Sequence, residues 1–151
     1  MSMLKAVPAT SLTANDTTAQ EELGQIRWES DGKAYRYVRA LNLSVQKGSV
    51  CKFANSNNYQ VTVSAAAALR NGFAGVGLGQ ISAGKYGWIQ AEGYNTYLYT
   101  TSVEKADALV VSSTTNRVAR ELSTTTGLQV FGVAGASNSG SILKVAYLSG
   151  L

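Results

Sequence analysis

Ile26-Arg27-Trp28-Glu29, then Ser30-Asp31-Gly32-Lys33, then Ala34-Tyr35-Arg36-Tyr37-Val38-Arg39-Ala40-Leu41 is the stretch that decides the fold. Ile26 and Trp28 alternate with Arg27 and Glu29, the spacing of a strand that points successive side chains to opposite faces. Asp-Gly between two extended runs is a strong hairpin signal, because such turns need positive φ. Outward from this hairpin the same texture continues. Lys47-Gly48 turns into Val50 to Ala54, where Cys51 and Phe53 share a face, and Asn55-Ser56-Asn57-Asn58 reads as a loop. Tyr59, Val61, Val63 and Ala65 then alternate with Gln60, Thr62 and Ser64, the period of a half-buried strand.

Ala65 to Leu69 reads as one helical turn closed by Asn71-Gly72. Further strands are expected at Phe73 to Leu78, Tyr86 to Ala91, Tyr97 to Thr101, Ala108 to Ser112, Leu128 to Ala134 and Ile142 to Leu148. Short helices at Val103 to Ala108 and Val118 to Leu122 remain open alternatives. An echo runs through the second half: Phe73-Ala74-Gly75-Val76 and Phe131-Gly132-Val133-Ala134 each lead through a Gly/Ser connection to a hydrophobic strand. Many short strands with 15 glycines in and between them predict an all-β fold. The expected architecture is a small β-barrel or β-sandwich of short antiparallel strands.

Residues 1–24 differ from the rest. They hold the only proline and sustain neither a twofold nor a 3.6-residue period, so they read as an extended N-terminal arm before a single domain over residues 25–151. The plain alternative is a frayed terminus. Read as a functional arm, it would order against a neighbour, with Leu4, Val7 and Leu12 as its apolar anchors.

Of the 151 residues, 45% are hydrophobic and only 15% charged, against about 25% in ordinary soluble domains. Small neutral polar residues and tyrosines fill the difference, a surface more typical of adhesive or particle-bound β proteins than of cytosolic enzymes. The net charge of +4 comes from scattered Lys and Arg rather than one basic patch. The chain has one cysteine, Cys51, and no histidine. An intramolecular disulfide, a cysteine zinc cluster and any Ser-His-Asp or Cys-His machinery are therefore excluded. No apolar run approaches the ~20 residues that span a bilayer, and Met1 to Leu12 is broken by Lys5 and Pro8 where a leader would be continuously hydrophobic. No membrane partner is expected.

Several motifs come close to a chemistry. Gly79-Gln80-Ile81-Ser82-Ala83-Gly84-Lys85 has phosphate-loop spacing, but Tyr86 stands where Ser or Thr would hold magnesium and a strand follows instead of a helix. Gly75-Val76-Gly77-Leu78-Gly79 is better read as a glycine-rich strand packed close to a neighbour than as a dinucleotide fingerprint. The carboxylates Glu29, Asp31, Glu92, Glu104, Asp107 and Glu121 lie on separate segments and read as solvated surface acids. Tyr35-Arg36-Tyr37-Val38-Arg39 has the composition of a single-stranded nucleic-acid groove and also that of an ordinary strand. Tyr94, Tyr97 and Tyr99 could stack on sugars. Tyr94 and Tyr97 read more simply as interface residues, since tyrosine offers apolar area with a polar tip. The expectation is a protein that binds rather than catalyses, with no catalytic, cofactor-binding or metal-binding residues and no small-molecule substrate.

Phe73-Ala74-Gly75-Val76-Gly77-Leu78, Ile81-Ser82-Ala83-Gly84-Lys85-Tyr86-Gly87-Trp88-Ile89-Gln90-Ala91-Glu92-Gly93, Ala106 to Val111 and Val130-Phe131-Gly132-Val133-Ala134 follow one another in an informative order. This order resembles that of the small all-β decoration, or capsid cement, proteins of tailed-phage heads, over roughly residues 73–148. The resemblance implies a virion structural protein, made in a bacterial host cytoplasm and placed on the outer capsid surface. It implies contacts with the major capsid protein, trimers of the chain, and an N-terminal arm reaching an adjacent subunit. The shared positions are glycines, alanines and an aromatic pair, so no functional residue carries over one for one. The low-charge, tyrosine-rich surface also fits another particle component, a minor capsid, tail or fibre protein that binds a receptor or glycan. A barrel for single-stranded nucleic acid is the third reading.

Overall fold

The computed structural model describes residues 10–54, 59–64, 72–99, 104–111, 118–120, 130–135, 142–143 and 146–149. Every regular element among them is a strand. In chain order these are β1 (Ile26–Trp28), β2 (Ala34–Ala40), β3 (Val50–Phe53), β4 (Gln60–Thr62), β5 (Phe73–Gly77) and β6 (Tyr86–Asn95). There follow β7 (Leu98–Tyr99), β8 (Ala108–Val111), β9 (Val118–Arg120), β10 (Val130–Ala134), β11 (Ile142–Leu143) and β12 (Ala146–Ser149). The expected hairpin forms, with Trp28 opposite Ala34 and Gly32 at φ +80° in its turn.

Strands β2, β4, β3, β5 and β6 are neighbours in that order, and β2 pairs again with β6, which closes a five-stranded barrel. Of the two expected architectures it is therefore the barrel that forms. One pair departs from the antiparallel expectation: β2 and β4 run parallel, with Arg39 opposite Gln60 and Ala40 opposite Val61. Parallel neighbours need a crossover between them, and the connection here contains β3, which pairs antiparallel with β4. β6 is long enough for two tasks. Its first half belongs to the barrel, while Glu92 to Asn95 pair with β12, which continues through β10 and β8 to β9.

Each half of the sequence echo ends as an antiparallel pair, β5 with β6 and β10 with β12. The helix alternatives fail where the chain is described. Ala108 opens β8, and Val118–Arg120 is β9, paired to β8. Neither segment is long enough for local propensity to outweigh a ladder of sheet hydrogen bonds. The helical turn expected at residues 65–69 lies outside the described residues.

Three apolar clusters follow from strand alternation. Val38, Ala40, Cys51, Val61, Ala74 and Ile89 come from all five barrel strands and fill the lumen. Val50, Phe73 and Val76 of the barrel wall meet Leu98, Leu109, Ala134 and Leu148 of the flanking strands in a second core. Outside β2 and β6, Tyr35, Tyr37 and Trp88 form a third, covered by Leu12, Leu23, Leu78 and Tyr86. That cover corrects the boundary expected at residue 24. Asp16 and Tyr86 exchange backbone hydrogen bonds of 2.9 and 3.0 Å, Gly24 N–H donates to Tyr37 O, and Trp88 Nε1 donates to Thr10 Oγ1 at 2.9 Å. Residues 10–24 thus belong to the packed domain, because the aromatic face of β2 and β6 needs something against it. Leu4 and Val7 lie outside the described residues.

Candidate interaction site

The expected contact residues Tyr94 and Tyr97 are brought to one pocket, and Leu12 is not. Leu12 is half-buried against the aromatic cluster of its own domain, so its apolar surface is already engaged there.

Three turns build the pocket. The first carries Lys33, whose ammonium sits 2.9 Å from Asp31 Oδ2. The Asp31 partner raises Lys33 above the usual lysine range and is itself held below the ordinary carboxylate value by the same bond. The second turn carries Lys47 and Gly48. Gly48 has φ +81°, and a Cβ there would lie 2.6 Å from the Tyr97 ring, so only glycine lets the two turns meet without strain. Lys47 Nζ lies 5.1 Å from the centroid of that ring, within cation–π range. The third turn follows β6. Gln90 Nε2 donates to the carbonyls of Glu92 and Tyr94, Asn95 Nδ2 donates to Gln90 Oε1 at 3.0 Å, and Tyr97 N–H donates to Asn95 Oδ1. Gln90 and Asn95 are both buried, and their mutual satisfaction fixes where Tyr94 and Tyr97 stand.

The result is a cavity of about 140 Å³ floored by Gly77 and Gln90 and rimmed by Lys33, Lys47, Tyr94 and Tyr97. Tyr35 lines it from the aromatic cluster. At Gly77 an added Cβ would collide with the Gln46 carbonyl, the close approach expected of the glycine-rich strand. Tyr94 is 39% exposed at the rim. Elsewhere on the surface Trp28 is 59% exposed on β1.

The remaining sequence candidates fall in other places. Of the aromatic-arginine strand, Tyr35, Arg36 and Tyr37 are all buried, so their rings and guanidinium are not offered to stacking bases. Arg36 instead donates to Ala74 O and stands over Phe53. Burial, with the Asp16 carboxylate beside it, pushes the Tyr37 hydroxyl up to about 12. The segment from Gly79 to Lys85 closes in a turn, with Lys85 N–H donating to Ser82 O at 2.9 Å. Glu29 pairs with Arg27 at 2.6 Å and Asp31 with Lys33, so two of the surface acids are engaged in local ion pairs. Among the described residues no group of three or more metal-ligating side chains converges.

Sequence reasoning missed Lys33, Lys47 and Tyr35 as parts of this site, because their convergence depends on three turns distant in sequence. It also missed Lys52, fully buried on β3 with Nζ donating to Ser64 O at 3.2 Å and its ammonium pKa lowered by that burial. No protein-family model matches the chain, and no curated protein matches it in sequence.

Proposed function

We propose that this chain is a virion structural protein, a decoration or cement protein that binds the outer surface of a tailed-phage capsid. In this reading it bridges neighbouring major capsid subunits and acts as a homo-oligomer, a trimer, with an N-terminal arm that reaches a neighbour. The observation that carries the proposal is the convergence of Tyr94 and Tyr97 on a fixed rim beside a small pocket. Tyrosines held in place by a buried amide network lose little entropy when they are covered, which is what an interface anchor needs. The exposed Trp28 adds a second aromatic of the same kind. The sequence resemblance over residues 73–148 supplies the partner. A docking contact of standard size, about 1,600 Å² in total, holds tightly without chemistry, and repetition around a trimer multiplies it.

Native mass determination tests the proposal, alone and with purified heads, on the full chain and on one lacking residues 1–9. A trimer, or a monomer that assembles on heads, is expected. A strict monomer that leaves heads bare in both forms would defeat it. Tyr94 and Tyr97 at the pocket rim also offer rings to a sugar, so the same chain on a glycan array tests the reading as a receptor- or glycan-binding particle component.

A further inference from the structure

We infer that the pocket bounded by Tyr35, Lys47, Tyr94 and Tyr97 receives a carboxylate carried by an acidic side chain of a protein partner. The inference rests on reading the chain as a docking protein and names what one of its contacts recognises.

Two donors in the pocket bear on its ligand. Tyr35 is 6% exposed and lines the cavity from the aromatic cluster. Burial raises the Tyr35 phenol, so it stays protonated and acts as a donor. Lys47 is exposed and makes no ion pair among the described residues, although its ammonium is drawn over the Tyr97 ring at the cavity edge. Lys33, in contrast, already has Asp31. The amides of Gln90 and Asn95 are consumed by each other and by backbone groups, so they shape the floor and do not compete for the ligand.

A neutral phenol donor and an ammonium without an ion-pair partner among the described residues, lining one pocket, select an acceptor with negative charge. Charge-assisted hydrogen bonds are roughly twice as strong as neutral ones. Size selects further. About 140 Å³ is below the roughly 300–1,000 Å³ of pockets that enclose drug-sized ligands. It suits the end of one side chain better than a sugar ring with its substituents. Tyr94 at the rim would then cover the apolar stem of an entering glutamate.

The test uses the isolated full chain and amide NMR. N-acetyl-glutamate N-methylamide is expected to give saturable shifts at Gly77, Asn95 and Tyr97, and the glutamine counterpart to bind at least about tenfold more weakly. Tyr35→Phe and Lys47→Gln should each weaken the glutamate probe by about tenfold while leaving the rest of the spectrum in place. Lys47 is exposed, so its variant folds whatever Tyr35→Phe does. No saturation with glutamate, equal binding of glutamate and glutamine, or tighter binding of glucuronate or inorganic phosphate would overturn the assignment. Because no capsid enters this assay, its failure leaves the decoration reading standing, and bare heads alongside a bound probe would defeat that reading alone.

Discussion

Replacing Thr10 by Val should destabilise the domain by about 2 kcal/mol through a residue that sequence alone placed in an extended N-terminal arm. Trp88 is 1% exposed, and its Nε1 donates to Thr10 Oγ1 at 2.9 Å, the bond that satisfies the indole among the described residues. Valine keeps the shape of threonine and removes the acceptor. A buried donor left unsatisfied costs about 1–3 kcal/mol, and the partly exposed bond from Thr10 Oγ1 to Glu21 adds at most about 1 kcal/mol. For a domain of this size, 2 kcal/mol corresponds to a fall of several degrees in Tm. Urea unfolding of Thr10→Val, Trp88→Phe and the double variant separates the bond from the rest. In the Trp88→Phe background no indole N–H remains, so Thr10→Val should cost only about 0.5 kcal/mol, a coupling of about 1.5 kcal/mol. Thr10→Val at wild-type stability, or strict additivity in the cycle, would refute the packing of residues 10–24 on the barrel.

Gly48→Ala should cost about 1–3 kcal/mol, since it combines φ +81° with a Cβ 2.6 Å from the Tyr97 ring, and amide shifts at Tyr97 should report the displaced turn. Cys51 is wholly buried, with its thiol pushed up to about 12, so a thiol reagent at pH 8 should react with the native chain at least about 1,000-fold more slowly than with the urea-unfolded chain. Tyr37 titrates near 12 when folded against 10.0 when unfolded. Its contribution is complete below pH 10 and lost as pH rises toward 12, so Tyr37→Phe should lose less stability than wild type over that window in denaturant titrations.

Local signals carried most of the strands. The Asp-Gly hairpin of β1 and β2, the alternation around Val61 and the paired Phe-containing echoes each concern neighbours in sequence, and each became an antiparallel pair. Closure was not legible to the same degree. It depends on β2 pairing with β6 along one edge and with β4 along the other, across separations that leave no local trace. The N-terminal segment misled for a related reason. Thr10, Leu12 and Asp16 have no periodicity of their own, because they follow the aromatic surface of β2 and β6 rather than a ladder. At the site, Tyr94 and Tyr97 could be picked from residue type and nearness, while Lys47 and Tyr35 needed the barrel to close before they shared a pocket. Lys52 shows the limit of reading charge as surface: a lysine on an alternating strand is buried when its ammonium finds a carbonyl such as that of Ser64.

The most direct measurement is co-sedimentation of the full chain with purified expanded phage heads stripped of decoration, over rising protein concentration. The account predicts saturation at a fixed ratio of chain to major capsid protein, with Tyr94→Ala and Tyr97→Ala together weakening binding by at least about tenfold, in keeping with loss of about 1.4 kcal/mol or more. Heads that remain bare, or binding that never saturates and ignores both tyrosines, would contradict it.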